Sequence, residues 1–519
     1  MNPSPKTLLL CNANIVTLDP RFPRANWVAV QDGRICQLGF GKNWKNIKEI
    51  FDLLIDLDGK TVFPGFIDAH LHIVATIKKH LAFDLAPGRN LRSVSDLQTT
   101  IRNHAWQVSP GKWMFGRGYN EFYLAEKRHP NRWDLDQAAP HHPLKLTHRS
   151  GHTHVLNSLA LKSVGITRET GDPDGGIIDR DLESGEPTGI LYGMGDFLSK
   201  HIPPPQASEL ETGLKKVNLK LLSYGITSLQ DASHRNDLQR WELLKKWVAN
   251  GTLQSRLCML QGYPSFQQKE QRYFTPPPAP EHLKPGAVKI MIDDTTGRML
   301  PEPQDLAAMV SAVHRAGRQV AFHAIDKPSI EAACQAVAKA LEESPQNDHR
   351  HRIEHCSVCP PELAEKIAGL RMSVVTQPPF LFHNGERYLA TVPENQRKFL
   401  YPLRTLMSHG VCTAGSSDSP VVPADPMTGI YTAVNRLAKN GPELNGHEKI
   451  TVMDALRMYT RHAAYVAFEE DIKGSITPGK LADFVVLDED PARIPADGLE
   501  HLKVDMTIIN GEVVWRKGR

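Results

Sequence analysis

His70-Leu-His72 places two imidazoles two residues apart, directly after the apolar run Thr61-Val-Phe-Pro-Gly-Phe-Ile-Asp68. Side chains alternate across a strand, so an H-x-H at a strand end turns both rings to one face, at a separation one cation can span. Imidazole is the commonest protein metal ligand and suits Zn, Fe, Ni and Cu. Three later segments end in the same kind of group: Arg318-Gln-Val-Ala-Phe-His323, His351-Arg-Ile-Glu-His355 and Val411-Cys-Thr-Ala-Gly-Ser-Ser-Asp418. Each is a short apolar run bounded by turn signals, the pattern of a parallel strand buried on both faces. A His/His, His, His, Asp set delivered from four strand ends is ligand chemistry for Zn or a similar divalent ion.

One further polar residue interrupts an apolar strand, in Gly286-Ala-Val-Lys289-Ile-Met-Ile-Asp293. A lysine inside a barrel strand buries a charge at large cost unless it is neutralised or paired. Two solutions stand side by side. The neutral amine can add carbon dioxide, giving a carbamate whose oxygens bridge two cations, or Lys289 can form an ion pair with Asp418 or Asp293.

Strand ends that converge on one rim are the property of a (β/α)8 barrel, where active sites occupy the C-terminal face of the strands. The pattern places barrel strands near 62–68, 225–231, 254–261, 286–292, 318–323, 351–355, 371–376 and 411–417. Ser311–Ala316, Ser329–Leu341 and Pro361–Gly369 carry the apolar periodicity of crossover helices. The interval 73–224 is far too long for one crossover and predicts an inserted subdomain. At the N-terminus, short alternating runs at Leu8–Asn12, Asn14–Leu18, Trp27–Gln31 and Arg34–Leu38 predict strands, with Asp32-Gly33 as a hairpin turn. Asp483–Leu487 and Met506–Trp515, turning at Asn510-Gly511, mirror them at the C-terminus. The fold class is therefore α/β: a TIM-type barrel at 63–469 with an inserted substrate-lid subdomain at about 80–210, plus a small β-sandwich built from both termini, 1–62 and 470–519. Pro203-Pro-Pro205 and Pro276-Pro-Pro278 are turn or linker punctuation.

Over nearly its whole length the chain resembles the metal-dependent amidohydrolase superfamily, and within it the amidohydrolase-3 group of YtcJ-like and N-substituted formamide deformylase-like proteins. The anchors are Pro64-Gly-Phe-Ile-Asp-Ala-His70-Leu-His72, Val288-Lys289-Ile, Phe322-His323-Ala-Ile-Asp326, Arg352-Ile-Glu-His355 and Gly415-Ser-Ser-Asp418-Ser-Pro420. Trp113-Met-Phe-Gly116-Arg-Gly118 and Gly151-His152-Thr-His154-Val-Leu-Asn157-Ser158 resemble the group's insertion. The resemblance implies that His70 and His72 hold the more buried metal, a carboxylated Lys289 bridges, His323 and His355 hold the second, and Asp418 serves the buried metal and the proton. It also places His152 towards the active site, as a substrate contact or oxyanion donor or in a structural hydrogen bond. Trp113, Tyr119 and Gln377 are further candidates to line the pocket, though large aromatic residues are more often core. Asp293-Asp294 departs from the Asp-Gly that many relatives carry after the Lys strand.

The formal charge of +3, from 61 basic and 58 acidic residues, gives no electrostatic case for nucleic acid or anionic membrane. No apolar run approaches a membrane span. Leu8-Leu-Leu10 is too short for a signal core, and Leu10-Cys11 lacks the small residues of a lipoprotein cleavage site. Seven scattered cysteines fit reduced thiols in a cytoplasmic protein. Cys356-Ser-Val-Cys359 has no second pair and reads as buried free thiols, Gly116-Arg-Gly118 lacks the third glycine of a dinucleotide loop, and His141-His142 reads as loop surface. A homodimer is the prior for a soluble oligomer.

The expected activity is metal-dependent hydrolysis of a C–N bond in a small non-peptide amide or formamide, by a metal-activated hydroxide with Asp418 as proton carrier. The divalent ion is Zn by default, one or two per chain. A non-hydrolytic lyase (a decarboxylase) or an isomerase could use the same ligands. A catalytically silent scaffold would be expected to have lost some of the six, and all are present.

Overall fold

The computed structural model describes residues 7–86, 91–173, 175–268, 282–293, 299–439 and 441–518, so that Pro276-Pro-Pro278 and Asp294 lie outside the described residues. The chain divides into two compact units, Met1–Thr76 with Leu214–Arg519, and Ile77–Gly213.

In the first unit eight strands form one parallel sheet in chain order: β1 (Phe66–Leu71), β2 (Ile226–Asp231), β3 (Arg256–Gly262), β4 (Leu283–Met291), β5 (Val320–Ala324), β6 (Arg352–His355), β7 (Ser373–Thr376) and β8 (Thr413–Gly415). Between β8 and β1 two backbone hydrogen bonds stand in for a ladder, Asp418 N–H to His70 O and His72 N–H to Ser419 O, both 2.8 Å. The sheet is thus a nearly closed TIM-type barrel. Period-two alternation sorts its faces. Val288, Ile290, Val320, Phe322 and Ile353 are buried outward against helices Pro303–Arg315, Lys327–Glu343 and Pro361–Gly369. The intervening Ala287, Lys289, Ala321, Arg352 and Glu354 fall on the other face, also buried. A truncation such as Phe322→Ala would leave a cavity costing about 3–5 kcal/mol.

The first barrel strand begins later than the 62–68 run predicts. Thr61–Pro64 is a separate strand that pairs with Phe484–Leu487 and with Asn14–Val16, and the barrel starts only at Phe66. Pro64 has no N–H to continue a ladder. Gly65 admits the crossing, since a Cβ there would sit 2.2 Å from Thr227 Oγ1.

Two further sheets belong to the same unit. One has four strands in the order Arg34–Gly39, Trp27–Gln31, Thr7–Cys11, Leu53–Asp56. The other has six: Glu512–Arg516, Val504–Ile509, Phe484–Leu487, Thr61–Pro64, Asn14–Val16 and Arg24–Ala25. Leu8, Val28 and Val30 from the first share one core with Val62, Phe484 and Ile508 from the second. Asp32-Gly33 and Asn510-Gly511 turn their hairpins with all four residues at positive φ, as tight hairpin turns require. Arg256 at the start of β3 donates to Asp483 at 2.6 and 3.0 Å, tying barrel to terminal sheet.

The unit Ile77–Gly213 has its own six-stranded sheet, in the order Ile177–Arg180, Pro187–Tyr192, Thr153–Leu156, Leu144–His148, Met114–Tyr119, Phe83–Asp84. Leu97 and Ile101 of helix Val94–Ala105 pack with Leu144, Leu146 and Val155 of the sheet in one core. Among the described residues no helix is long and apolar enough to cross a membrane.

Candidate metal centre

β1 carries His70 and, one residue past its end, His72, whose ring centroids stand 5.2 Å apart, edge to face. Each ring is aimed through its Nδ1. His70 Nδ1 meets Glu354 Oε2, and His72 Nδ1 lies 2.9 Å from Ser233 Oγ. Both Nε2 atoms are left for Asp418, whose Oδ1 is 3.0 Å from that of His72 and 3.6 Å from that of His70. Ligand atoms of His70, His72 and Asp418 all lie within 4.8 Å of one another.

β5 and β6 supply a second pair beside this group. His323 Nδ1 and His355 Nε2 are 2.9 Å apart, and His355 Nδ1 is 2.9 Å from Gln377 Oε1. The two groups adjoin, with the His70 and His355 rings 4.9 Å apart and Asp418 Oδ2 3.9 Å from His355 Nδ1. Lys289 is buried on β4, and among the described residues its Nζ hydrogen-bonds to neither Asp418 nor Asp293 nor any other group. The ion-pair solution for this lysine is therefore not the one adopted. Gln377 is fully buried, its amide nitrogen donating to Ser416 Oγ at 3.1 Å, so both ends of its side chain serve the scaffold of the site.

Burial dominates the electrostatics. It holds the pKa of His70 and His355 well below the ordinary imidazole range and brings His323 down to about 3, with Lys289 adding to the effect on all three. Neutral imidazole is the form that ligates metal. Burial also pushes Lys289 down to about 8, against the pull of the Glu354 carboxylate. Asp68, pushed up to about 6 by burial, accepts Ser417 Oγ at 2.5 Å and Ser417 N–H at 3.1 Å, and so fixes the turn that presents Asp418. His355, Cys356 and Asp418 have φ of +75°, +49° and +53°, a region non-glycine residues seldom occupy. Backbone strain of this kind collects at functional sites.

Sequence reasoning passed over Glu354, although it stands inside a quoted motif. Its carboxylate accepts from His70 on one side and from Arg352 Nε at 2.6 Å on the other, while Arg352 Nη1 reaches Gln230 Oε1 at 2.5 Å. All these side chains are fully buried. A carboxylate on the far nitrogen of a ligating histidine fixes its tautomer and orientation. The signal was available, because Arg352 and Glu354 are two charges two apart in a buried strand, the same anomaly that marks Lys289.

The donor set fits a divalent cation. Asp418 Oδ1 and Lys289 Nζ are buried polar atoms left without a hydrogen bond, beside four imidazoles of which burial keeps His70, His323 and His355 neutral. His70, His72 and Asp418 would hold one ion.

The remaining sequence candidates lie in the unit Ile77–Gly213. His152 is exposed in the turn between Leu144–His148 and Thr153–Leu156. Tyr119 is buried with its hydroxyl 3.0 Å from His129 Nδ1, and Trp113 stacks on Phe115 with centroids 5.8 Å apart. His142, expected on a loop surface, is instead buried with Nδ1 3.3 Å from Lys112 O, because Asn157 Nδ2 draws the His142 carbonyl into the core at 2.8 Å. Cys356 and Cys359 are buried free thiols.

The "Amidohydrolase family" model matches residues 53–515. The putative amidohydrolase YtcJ of Bacillus subtilis is 30% identical over 533 aligned positions, covering 97% of this chain and 98% of that protein. The N-substituted formamide deformylase of Arthrobacter pascens is 30% identical over 547 positions, covering 99% of each. Among solved structures, an uncharacterized metal-dependent hydrolase from Pyrococcus horikoshii superposes with a TM-score of 0.78 at 21% identity, over 95% of this chain and 99% of that one.

Proposed function

The chain belongs to the amidohydrolase family of metal-dependent hydrolases, enzymes of C–N bonds, and we propose that its substrate is a small non-peptide amide, with N-substituted formamides the first class to test. The N-substituted formamide deformylase among its full-length relatives supports that choice. The observation that carries the metal-centred reading is the meeting of His70, His72 and Asp418, with the unbonded Lys289 Nζ in the field of the Glu354 and Asp418 carboxylates.

His70, His72 and Asp418 would hold one ion in this reading, His323 and His355 a second, and Lys289 as its carbamate would serve both, with Zn the default. Such an ion, when bound, lowers the pKa of water towards 7 and polarises a carbonyl oxygen. Glu354 and Ser233 keep the two Nε2 atoms of the H-x-H turned inward. Gln377 does the same for His355. Asp418 takes the proton of the attacking water on a carboxylate oxygen and returns it to the departing nitrogen, which is a poor leaving group until protonated. For His152, Trp113 and Tyr119, substrate contact rests on the family resemblance alone. The sheets of the two termini are read as one β-sandwich and the segment near 80–210 as the substrate lid. Cytoplasmic residence, which the seven free thiols support, and a two-fold dimer belong to the same proposal.

The test is a panel of N-substituted formamides and other small amides in ¹⁸O-labelled water, with metal content measured in parallel. Label in a released carboxylate establishes hydrolysis. Product without label would mean lyase or isomerase chemistry and would overturn the proposal. Asp418→Asn should keep much of the metal yet lose about 10²–10⁴-fold in turnover, and unchanged turnover would remove Asp418 from the proton path.

A further inference from the structure

A cavity of about 1070 Å³ has its described lining in the unit Ile77–Gly213, and none of the six metal-ligand candidates is among those residues. Its described lining includes Lys79, Arg92, Arg117, Lys127 and Arg149, and a single carboxylate, Asp84. The strands of the local sheet place these charges. Arg117 and Asp84 are register partners on neighbouring parallel strands, with Leu85 N–H donating to Arg117 O at 2.7 Å. Gly118 follows in a left-handed conformation, and a Cβ there would stand 3.2 Å from Asp84 Oδ1. Arg149 comes off the end of the next strand, its N–H on Tyr119 O at 3.0 Å. Lys127 Nζ donates to Phe122 O at 2.6 Å, and the Arg92 backbone N–H donates to Asp96 at 2.9 Å, which brings that carboxylate within reach of the Arg92 charge.

We propose that this cavity is a binding site for a small multivalent anion bearing phosphate or carboxylate groups, with Arg117 at its base and Arg149 at its rim. Cations that face one another across a concave surface focus a positive potential there. Their mutual repulsion is relieved when an anion enters. Lys79 and Arg117 show it: burial first, and then the Arg117 charge, bring Lys79 down to about 8. Guanidinium forks match both carboxylate and phosphate in bidentate fashion. The volume is that of a metabolite site and far exceeds what inorganic phosphate fills. The net excess of positive charge selects several negative charges over one.

The test is calorimetric titration of the purified full-length protein with pyrophosphate, citrate and acetate, at low and at moderate salt. Pyrophosphate, citrate or both should bind at least about tenfold tighter than acetate and weaken with salt. Binding by pyrophosphate alone identifies a phosphate ligand, and by citrate alone a carboxylate one. Arg117→Gln should weaken binding by about tenfold or more, the loss expected for one charge-assisted contact. Because Arg117 is part of a strand, Arg149→Gln, at an exposed position, gives an independent arm with a several-fold loss. Absence of binding by either multivalent anion overturns the proposal. So does binding that both variants leave unchanged, since the anion then sits elsewhere, at the metal centre for instance.

Discussion

Lys289→Met in metal-free protein should raise stability, which is an unusual direction for a substitution at an active centre. The side chain is 2% exposed and its Nζ has no hydrogen-bond partner. Burial, partly countered by Glu354, brings its pKa from the ordinary 10.5 to about 8. A drop of that size corresponds to about 3 kcal/mol by which folding disfavours the charged amine. The folded-state value lies below the unfolded one, so the unfolded chain binds more protons between the two. The penalty is then complete below about pH 8 and lifts as pH rises towards 10.5. Met has nearly the same length and no charge, so the gain at pH 7 should be about 1–3 kcal/mol once its looser packing is allowed for. Urea unfolding of chelator-treated protein, in buffer freed of bicarbonate, measures it at pH 7 and again near pH 10.5, where the difference should shrink towards zero. With metal and bicarbonate restored the ranking should reverse, and the variant should carry less metal. A metal-free variant no more stable than the parent at pH 7 would refute the unpaired buried amine. Full metal occupancy in the variant would refute the ligand role.

Glu354→Gln keeps the shape but removes the charge that orients His70, and should weaken metal affinity by about 10–100-fold in chelator competition; unaltered affinity would reduce Glu354 to a partner of Arg352 alone. His154 is buried in the sheet of the unit Ile77–Gly213, with its pKa brought down to about 3 by burial and then Lys145. The unfolded chain therefore binds its proton first, and stability should fall by about 2–4 kcal/mol as pH drops from 6.5 to 3. His154→Gln should flatten that part of the urea-midpoint profile, and an unchanged slope would assign the acid sensitivity to other groups. Asp483→Asn leaves the buried Arg256 guanidinium without its counter-charge and should cost about 3–5 kcal/mol; a loss under 1 kcal/mol in urea unfolding would show the pair to be solvated.

What could be read in the chain follows from locality. The H-x-H, the strand-terminal His323, His355 and Asp418, and the anomalous Lys289 are each visible within a window of eight residues, and the barrel strands that carry them are apolar runs of the same size. Partners across the barrel are not. Nothing near Glu354 announces that it faces His70, 284 positions away, or that Ser233 will aim His72. The boundary at Gly65 was hidden because the apolar run passes from Thr61–Pro64 into the start of Phe66–Leu71 without a break, and both strands are buried although they serve different sheets. The six-stranded sheet of the insertion escaped notice for a related reason. Its strands are short, and their alternation is broken by glycines such as Gly116, whose Cβ would meet Phe83 and Leu146 side chains at 2.7 Å. Those glycines permit sheet packing, where in a dinucleotide loop they would have met phosphate.

The same locality explains why the left-handed residues of the rim could not be foreseen. A glycine would have advertised them, but His355 and Asp418 must keep their side chains, so the sequence shows only a histidine and an aspartate. The barrel therefore concentrates unfavourable terms at one end: positive φ at His355, Cys356 and Asp418, an amine without a hydrogen bond, and imidazoles that burial keeps neutral at ordinary pH. Opposite them it sets the hydrogen-bonded Arg352–Glu354–His70 chain and the Asp68–Ser417 clamp, which leave the rim little freedom to relax by rearranging. A cation would satisfy the neutral imidazoles and the unpartnered Asp418 oxygen together, because it needs neutral nitrogens and ligands already fixed in direction, and Lys289 would join them only as its carbamate. The ligand set is thus recognisable from its cost to the empty fold as much as from its geometry, and that cost falls on the residues whose spacing first pointed to a metal.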